Sequence, residues 1–182
     1  MGLDMNILRI KKPHLDAYRI YSRDDLDCII LEEDCLKQPK YQELTPYLQR
    51  VRVRSSYVDM ERIRKDYGLS EKSYLGHMNA DVVGIRDIDR SVEISAKTIE
   101  EKYSFNRVED CYVCNAEEVR YWRKAYDVQD WFYENIESEV ENTGYYLLSK
   151  DLLEEFNEAW PEDSVLVEDP DEESALYYWE WY

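Results

Sequence analysis

Few residues in this sequence have the type and spacing to do chemistry. Cys111-Tyr-Val-Cys114 has the two-residue gap of half a tetrahedral zinc site, and Cys28 with Cys35, or His14 with His77, would have to complete four ligands. The flanking pattern reads as a strand, where positions three apart face opposite sides of a sheet, and neither second pair has zinc-site spacing. The cysteines therefore read as ordinary thiols, and no metal or cofactor is expected. General acid–base chemistry needs a carboxylate in a tuned setting, whereas the 41 Asp and Glu residues fall mostly in runs that read as solvated faces. Two histidines occur, and there is no Gly-x-Ser-x-Gly elbow, no phosphate-binding Gly-Lys loop and no His-Glu-x-x-His helix. A non-enzymatic protein is expected, with a small metal-dependent enzyme using the cysteines as the reading from the opposite class.

Two charged stretches remain. Arg50, Arg52, Arg54, Arg62, Arg64 and Lys65, with Tyr47, Tyr57 and Tyr67 interleaved, could touch phosphate. The competing reading is an amphipathic helix whose cations pair with the chain's own acids, so any contact with DNA is expected to be weak. Across residues 134–180, 16 acidic side chains stand against one base, Lys150. Glu154, Glu155, Glu158, Glu162, Asp163, Glu168, Asp169, Asp171, Glu172 and Glu173 are the candidate partner-binding residues of that stretch. Closely spaced carboxylates imitate a phosphate backbone and suit a channel lined by Lys and Arg; the plainer reading is a solvated face.

Regular elements must position these groups. The pattern predicts an opening strand over residues 1–12, stopped by Pro13, a short strand at 26–31, and helical segments between 41 and 67 ended by Gly68. A strand at 91–96 is expected to pair with 108–113. Asn115 with Glu118 resembles a capping box, opening a helix through Val119, Trp122, Tyr126, Phe132, Tyr133 and Ile136 with a wide aromatic face. A strand at 145–148, a helix capped by Ser149 and stopped by Pro161, and a short strand at 164–167 follow. The aromatic tail 176–182 should be a strand on the core or part of an interface. The expected class is α+β: a small antiparallel sheet packed by a long aromatic-faced helix and a second, C-terminal helix, as one domain over 1–182.

At 182 residues the chain can close one core. Its formal charge of -18 is uneven, since residues 1–80 sum to +1 and residues 81–182 to -19. Such a field repels nucleic acid at long range and draws in cationic partners. No run approaches the roughly 20 apolar residues needed to span a bilayer, and the N-terminus lacks a signal-peptide layout, so a cytoplasmic protein is expected.

The opening Met1-Gly2-Leu3-Asp4-Met5, the run Glu118-Val119-Arg120-Tyr121-Trp122-Arg123-Lys124-Ala125, residues 129–132, Gly144-Tyr145-Tyr146 and residues 149–156 occur in an order that resembles a family of small phage and prophage proteins. The resemblance covers the first dozen residues and roughly positions 91–160, and the tail 176–182 stands where that family carries an aromatic stretch. It implies an opening strand, a Tyr-Trp-Arg-Lys-Ala helix, a Gly-Tyr-Tyr strand and a second helix, with no catalytic residues. Residues 13–90 fall outside the family pattern and read as an insertion, partly helical, or a subdomain. Length, acidity and inserted region together resemble an anti-CRISPR branch of phage origin acting on type II-A Cas9. That resemblance implies an inhibitor that binds the Cas9 ribonucleoprotein in the host cytoplasm and blocks DNA recognition or cleavage. The alternative is a phage accessory protein, also non-enzymatic, that binds another basic host factor.

Overall fold

The computed structural model describes residues 2–76, 78–88 and 90–182. Among these the elements run β1 (Asp4–Lys11), β2 (Ile20–Ser22), β3 (Ile29–Glu32), α1 (Pro39–Gln42), β4 (Gln49–Val58), α2 (Met60–Tyr67), β5 (Tyr74–Gly76), β6 (Val82–Arg86), β7 (Ser91–Ser95), α3 (Ala96–Thr98, continued by a π-turn over Ile99–Tyr103), β8 (Ser104–Arg123), α4 (Tyr126–Asn135), β9 (Tyr145–Leu147), α5 (Lys150–Ala159) and β10 (Ser174–Trp181). The class is α+β. The chain divides into two compact units, one holding the described residues up to Val53 together with Asp110–Tyr182, the other Arg54–Glu109. Residues 13–90, read from the sequence as an insertion or subdomain, are thus shared between both.

The larger sheet has the order β2-β4-β8-β1-β10-β9, with β3 also paired to β8; of β4 and β8 the first unit holds the parts up to Val53 and from Asp110. β1 lies between β8 and β10 and is antiparallel to each, with Met5 opposite Trp122 and Glu180, and Ile7 opposite Arg120 and Tyr178. The aromatic tail is therefore an interior strand, and Ala175, Leu176, Tyr177 and Tyr178 are buried. Because side chains alternate across a strand, the sheet has two apolar faces. One, formed by Met5, Ile7, Trp122, Leu176 and Tyr178, packs against Val128 and Phe132 of α4 and Leu153 and Phe156 of α5. The other gathers Ile10, Leu31, Leu44, Tyr47, Cys114, Ala175 and Tyr177. Phe132 bridges the first face, stacking on Tyr178 at 4.2 Å between ring centroids and on Phe156 at 5.1 Å. Trp122 and Trp131 meet Phe156 edge-on at 5.8 and 5.3 Å. Such pairs add about 0.5–1.5 kcal/mol each beyond their buried area.

Several local expectations are corrected. The helix predicted from Asn115 is the last part of β8, and only Tyr126–Asn135 is helical. The capping-box residues Asn115 and Glu118 instead sit opposite Lys11 and Leu8. Two physical facts hid this strand. The register slips between Ile7 and Leu8, so Val119 is an extra residue that breaks the period-two pattern, and Asn115, Ala116, Glu117 and Glu118 are all exposed. Pairing along β1 outweighs the helix propensity of Ala-Glu-Glu. Residues 49–58, expected to be helical, form β4, and β7 pairs with β6 instead of 108–113. Residues 164–167 form no strand. By contrast, Ser149 caps α5 by accepting from Leu152 N at 3.2 Å, as its position predicts.

The second unit packs α2, α3 with its π-turn, and a β5-β6-β7 antiparallel sheet around Ile63, Ile85, Ile94, Ile99 and Tyr103. Asp59 caps α2 by accepting from Arg62 N at 2.9 Å, and Gly68 ends it at φ 60, the left-handed C-terminal position that glycine occupies without a Cβ penalty.

Candidate functional site: an acidic face

The charge excess follows the folding units. Residues 54–109 carry ten basic and eleven acidic side chains, leaving thirteen and thirty for the first unit. Within that unit α5 concentrates the acids on one side. Leu153 and Phe156 are buried, while Asp151, Glu154, Glu155 and Glu158 are exposed and recur at three- and four-residue steps, hence on one face. Neither these four nor Glu162 in the turn after α5 has an ion-pair partner among the described residues. Apart from Asp151, whose charge meets the positive end of the dipole in the first turn, nothing in this arrangement favours the isolated helix. Like charges three and four apart repel, and α5 has no basic residue in its last turn to meet the negative end of its dipole.

The acids after Glu162 are used differently. Glu168 takes a two-point contact from Arg9, at 3.1 Å from Nε and 2.7 Å from Nη2. That contact raises the Arg9 pKa above its ordinary value. Asp163 pairs with Arg120, Asp169 lies 4.0 Å from Lys150, and Glu173 is 3.7 Å from His14. Asp171 accepts the backbone N–H groups of Ser174 and Glu173 at 2.7 and 2.8 Å, which holds its carboxyl below the usual range and fixes the turn into β10. Of the ten acids singled out in the sequence, Glu154, Glu155, Glu158, Glu162, Asp171 and Glu172 are left without an ion pair among the described residues, and of these six Asp171 is held by the backbone N–H groups of its turn.

Beside α5 lies a groove of about 530 Å³. Ile136, Tyr146, Leu147 and Leu152 supply apolar wall, and Glu43, Glu137, Asp151 and Glu155 supply carboxylates. Asp151 could be found from its helical spacing to Glu155; Glu43 could not, since it reaches the groove from α1's end, where its Oε2 accepts from Leu147 N at 2.6 Å.

The basic segment is not one patch. Arg50 and Arg52 alternate along β4 with buried Val51 and Val53, and Arg50 pairs with Asp110 at 2.5 Å. Arg54, Arg62, Arg64 and Lys65 belong to the second unit. There Arg62 donates to Lys102 O at 3.0 Å and lies over the Tyr103 ring, and Arg64 donates to Ser73 Oγ and O at 3.1 and 2.9 Å. Arg52, Arg54 and Lys65 are exposed. Tyr47 is buried, donating to Asp171 O at 2.9 Å, and so offers no stacking platform for a base.

Cys111 and Cys114 do not form half a metal site. Cys114 packs with Ile10 and Leu31, and Cys111 with Val51 and Val53, on opposite faces of β8. Burial pushes the Cys114 thiol up to about 12. His77 lies outside the described residues, and among those described no three His, Cys, Asp or Glu side chains gather as metal ligands.

One feature was invisible in the sequence. Tyr126 and Tyr133, expected on the packed face of the long helix, are 57 % and 42 % exposed, and Trp181 and Tyr182 at the chain's end are also open. Behind Tyr133, Glu180 is fully buried and accepts from Tyr133 Oη at 2.5 Å, Tyr178 Oη at 2.8 Å and Gln129 Nε2 at 2.9 Å. Burial, then this carboxylate, drives the Tyr133 phenol well above its ordinary pKa, so it remains a donor.

Comparison with protein-family models, with curated proteins and with solved structures finds no match. No helix among the described residues is long and apolar enough to cross a membrane.

Proposed function

We propose that this protein is a non-enzymatic, phage-encoded inhibitor. Its acidic unit docks on a basic, nucleic-acid-binding surface of a type II-A Cas9 ribonucleoprotein in the host cytoplasm, and DNA recognition or cleavage is blocked. The observation that carries the reading is the unpaired carboxylate face of α5. Four charges over residues 151–158 amount to about one per 3 Å at a rise of about 1.5 Å per residue, within a factor of about two of the one per 1.7 Å of duplex DNA. A surface built to hold phosphates meets a comparable charge density here. The choice of Cas9 rests on the resemblance of Met1-Gly2-Leu3-Asp4-Met5 and Glu118-Val119-Arg120-Tyr121-Trp122-Arg123-Lys124-Ala125 to the phage family and its anti-CRISPR branch. In the second unit, with ten bases against eleven acids, Arg54 and Lys65 are open for weak auxiliary contact with DNA.

The test is association of the purified protein with guide-loaded type II-A Cas9, followed by DNA cleavage. Stable association with loss of cleavage is expected. Absence of association together with undiminished cleavage across several type II-A effectors would overturn the assignment.

A further inference from the structure

On the α4 side of the first unit, Leu3, Tyr126, Gln129, Tyr133 and Tyr182 line a second, open recess of about 450 Å³. Tyr126, Gln129 and Tyr133 stand at three- and four-residue steps along α4, so one helical face supplies two of the three rings. All three tyrosines are between 42 % and 57 % exposed, although closing them together would remove much of that apolar surface from water.

The chemistry of the walls selects a cation. Aromatic faces carry negative quadrupole density and attract a cation within about 6 Å of the ring centroid. Gln129 spends its Nε2 on Glu180 and on Tyr133 Oη, at 2.9 and 3.2 Å, and its amide oxygen accepts no hydrogen bond among the described residues. Directly behind Gln129 and Tyr133, the buried Glu180 side chain is hydrogen-bonded by Gln129 Nε2, Tyr133 Oη and Tyr178 Oη, and no cation contacts it among the described residues. The recess also belongs to the unit with thirty acidic and thirteen basic side chains.

We propose that this recess is an anchor pocket for an arginine side chain projecting from the protein partner's docking surface. The inference rests on the reading of the chain as a binder of basic surfaces and deepens it by naming the contact. Arginine fits better than lysine. Its guanidinium is planar, stacks on rings, is weakly hydrated, and can donate to the Gln129 oxygen while lying against a tyrosine face. Lysine is a compact, strongly hydrated point charge that gains less from such walls.

The probes are a hexa-arginine peptide, a hexa-lysine peptide and guide-loaded Cas9, each titrated against the wild type and the Tyr126→Ala, Tyr182→Ala and Tyr126→Trp variants, with melting curves to confirm folding. Both tyrosines are half-exposed, so their loss should leave the core intact. Hexa-arginine is expected to bind several-fold more tightly than hexa-lysine. Each alanine variant should lose roughly three- to tenfold of hexa-arginine affinity, and Tyr126→Trp should retain or exceed the wild-type value, since Trp is the best cation–π partner. Equal binding of the two peptides, with no effect of any tyrosine variant, would overturn the pocket and leave the acidic face as the whole attraction. Tight binding of a neutral aromatic peptide to the recess would overturn it as well. Should Cas9 fail to bind while the arginine preference and its tyrosine dependence hold, the pocket stands and the choice of Cas9 falls. Should Cas9 bind wild type and alanine variants alike, the pocket falls and the choice of Cas9 stands.

Discussion

Replacing Glu155 and Glu158 by glutamine should make the first unit more stable while weakening its docking. The side chains change little in size and both are exposed, so packing on Leu153 and Phe156 is kept. The substitution removes the like-charge pairs Asp151/Glu155, Glu154/Glu158 and Glu155/Glu158, worth about 0.2–0.5 kcal/mol each. It also removes a negative charge from the last turn of α5, which gains about 0.3–1 kcal/mol against the helix dipole. The sum is about 1–2 kcal/mol of added stability at low salt, or an upward shift of about 3–5 °C in melting temperature. The gain should shrink by half or more near 0.5 M salt, where the screening length falls below the spacing of these charges. Urea titration followed by tryptophan fluorescence reads the right region, because Trp122, Trp131, Trp160, Trp179 and Trp181 all belong to the first unit. A variant that is no more stable than the wild type, or less stable, would refute the reasoning: the carboxylates would then be held by favourable contacts of their own fold and would not be a face left open at a cost.

Two further outcomes follow from the same structure. Glu168→Gln should cost about 1 kcal/mol in the same urea titration, because a two-point charged contact with Arg9 is weakened, whereas Glu172→Gln, which breaks no ion pair, should stay within about 0.5 kcal/mol; equal effects would contradict the division between engaged and open acids. Stability should fall as pH rises from about 9 towards about 12. The buried Cys114 thiol keeps its proton in the folded chain up to about 12 while the unfolded chain loses it near 9, so the folded state binds the extra proton and loses stability by up to about 1.4 kcal/mol per pH unit. Burial of Tyr145, Tyr177 and Tyr178 acts in the same direction from about pH 10. A shallower slope between pH 9 and 10 in Cys114→Val, measured by urea unfolding, is the expected signature; an unchanged slope would rule out the thiol as its source.

How much of this was legible in the sequence depends on how local each signal is. Ser149 with Leu153 and Phe156 announced α5, and Gly68 the end of α2, because caps and helical spacing are written in neighbouring residues. The acidic face was readable for the same reason. β8 was misread because its extra residue, Val119, and four consecutive exposed residues erase alternation, and its strand state is imposed by β1, more than a hundred positions away. Trp122 was rightly placed in the core, on the wrong kind of element. The acids of the 163–173 loop looked like free solvated charges, yet Arg9 and Arg120, distant in sequence, claim two of them. The tyrosine recess needs Leu3, α4 and Tyr182 together, and no local pattern can declare such a meeting.

The most direct test of the acidic docking face is the salt dependence of binding to guide-loaded Cas9, compared between the wild type and a variant carrying Asp151→Asn, Glu154→Gln, Glu155→Gln and Glu158→Gln. The account predicts a steep fall in wild-type affinity as salt rises, and a variant that binds more weakly at low salt with a distinctly flatter slope. Identical slopes and affinities for the two proteins would show that α5 takes no part in binding.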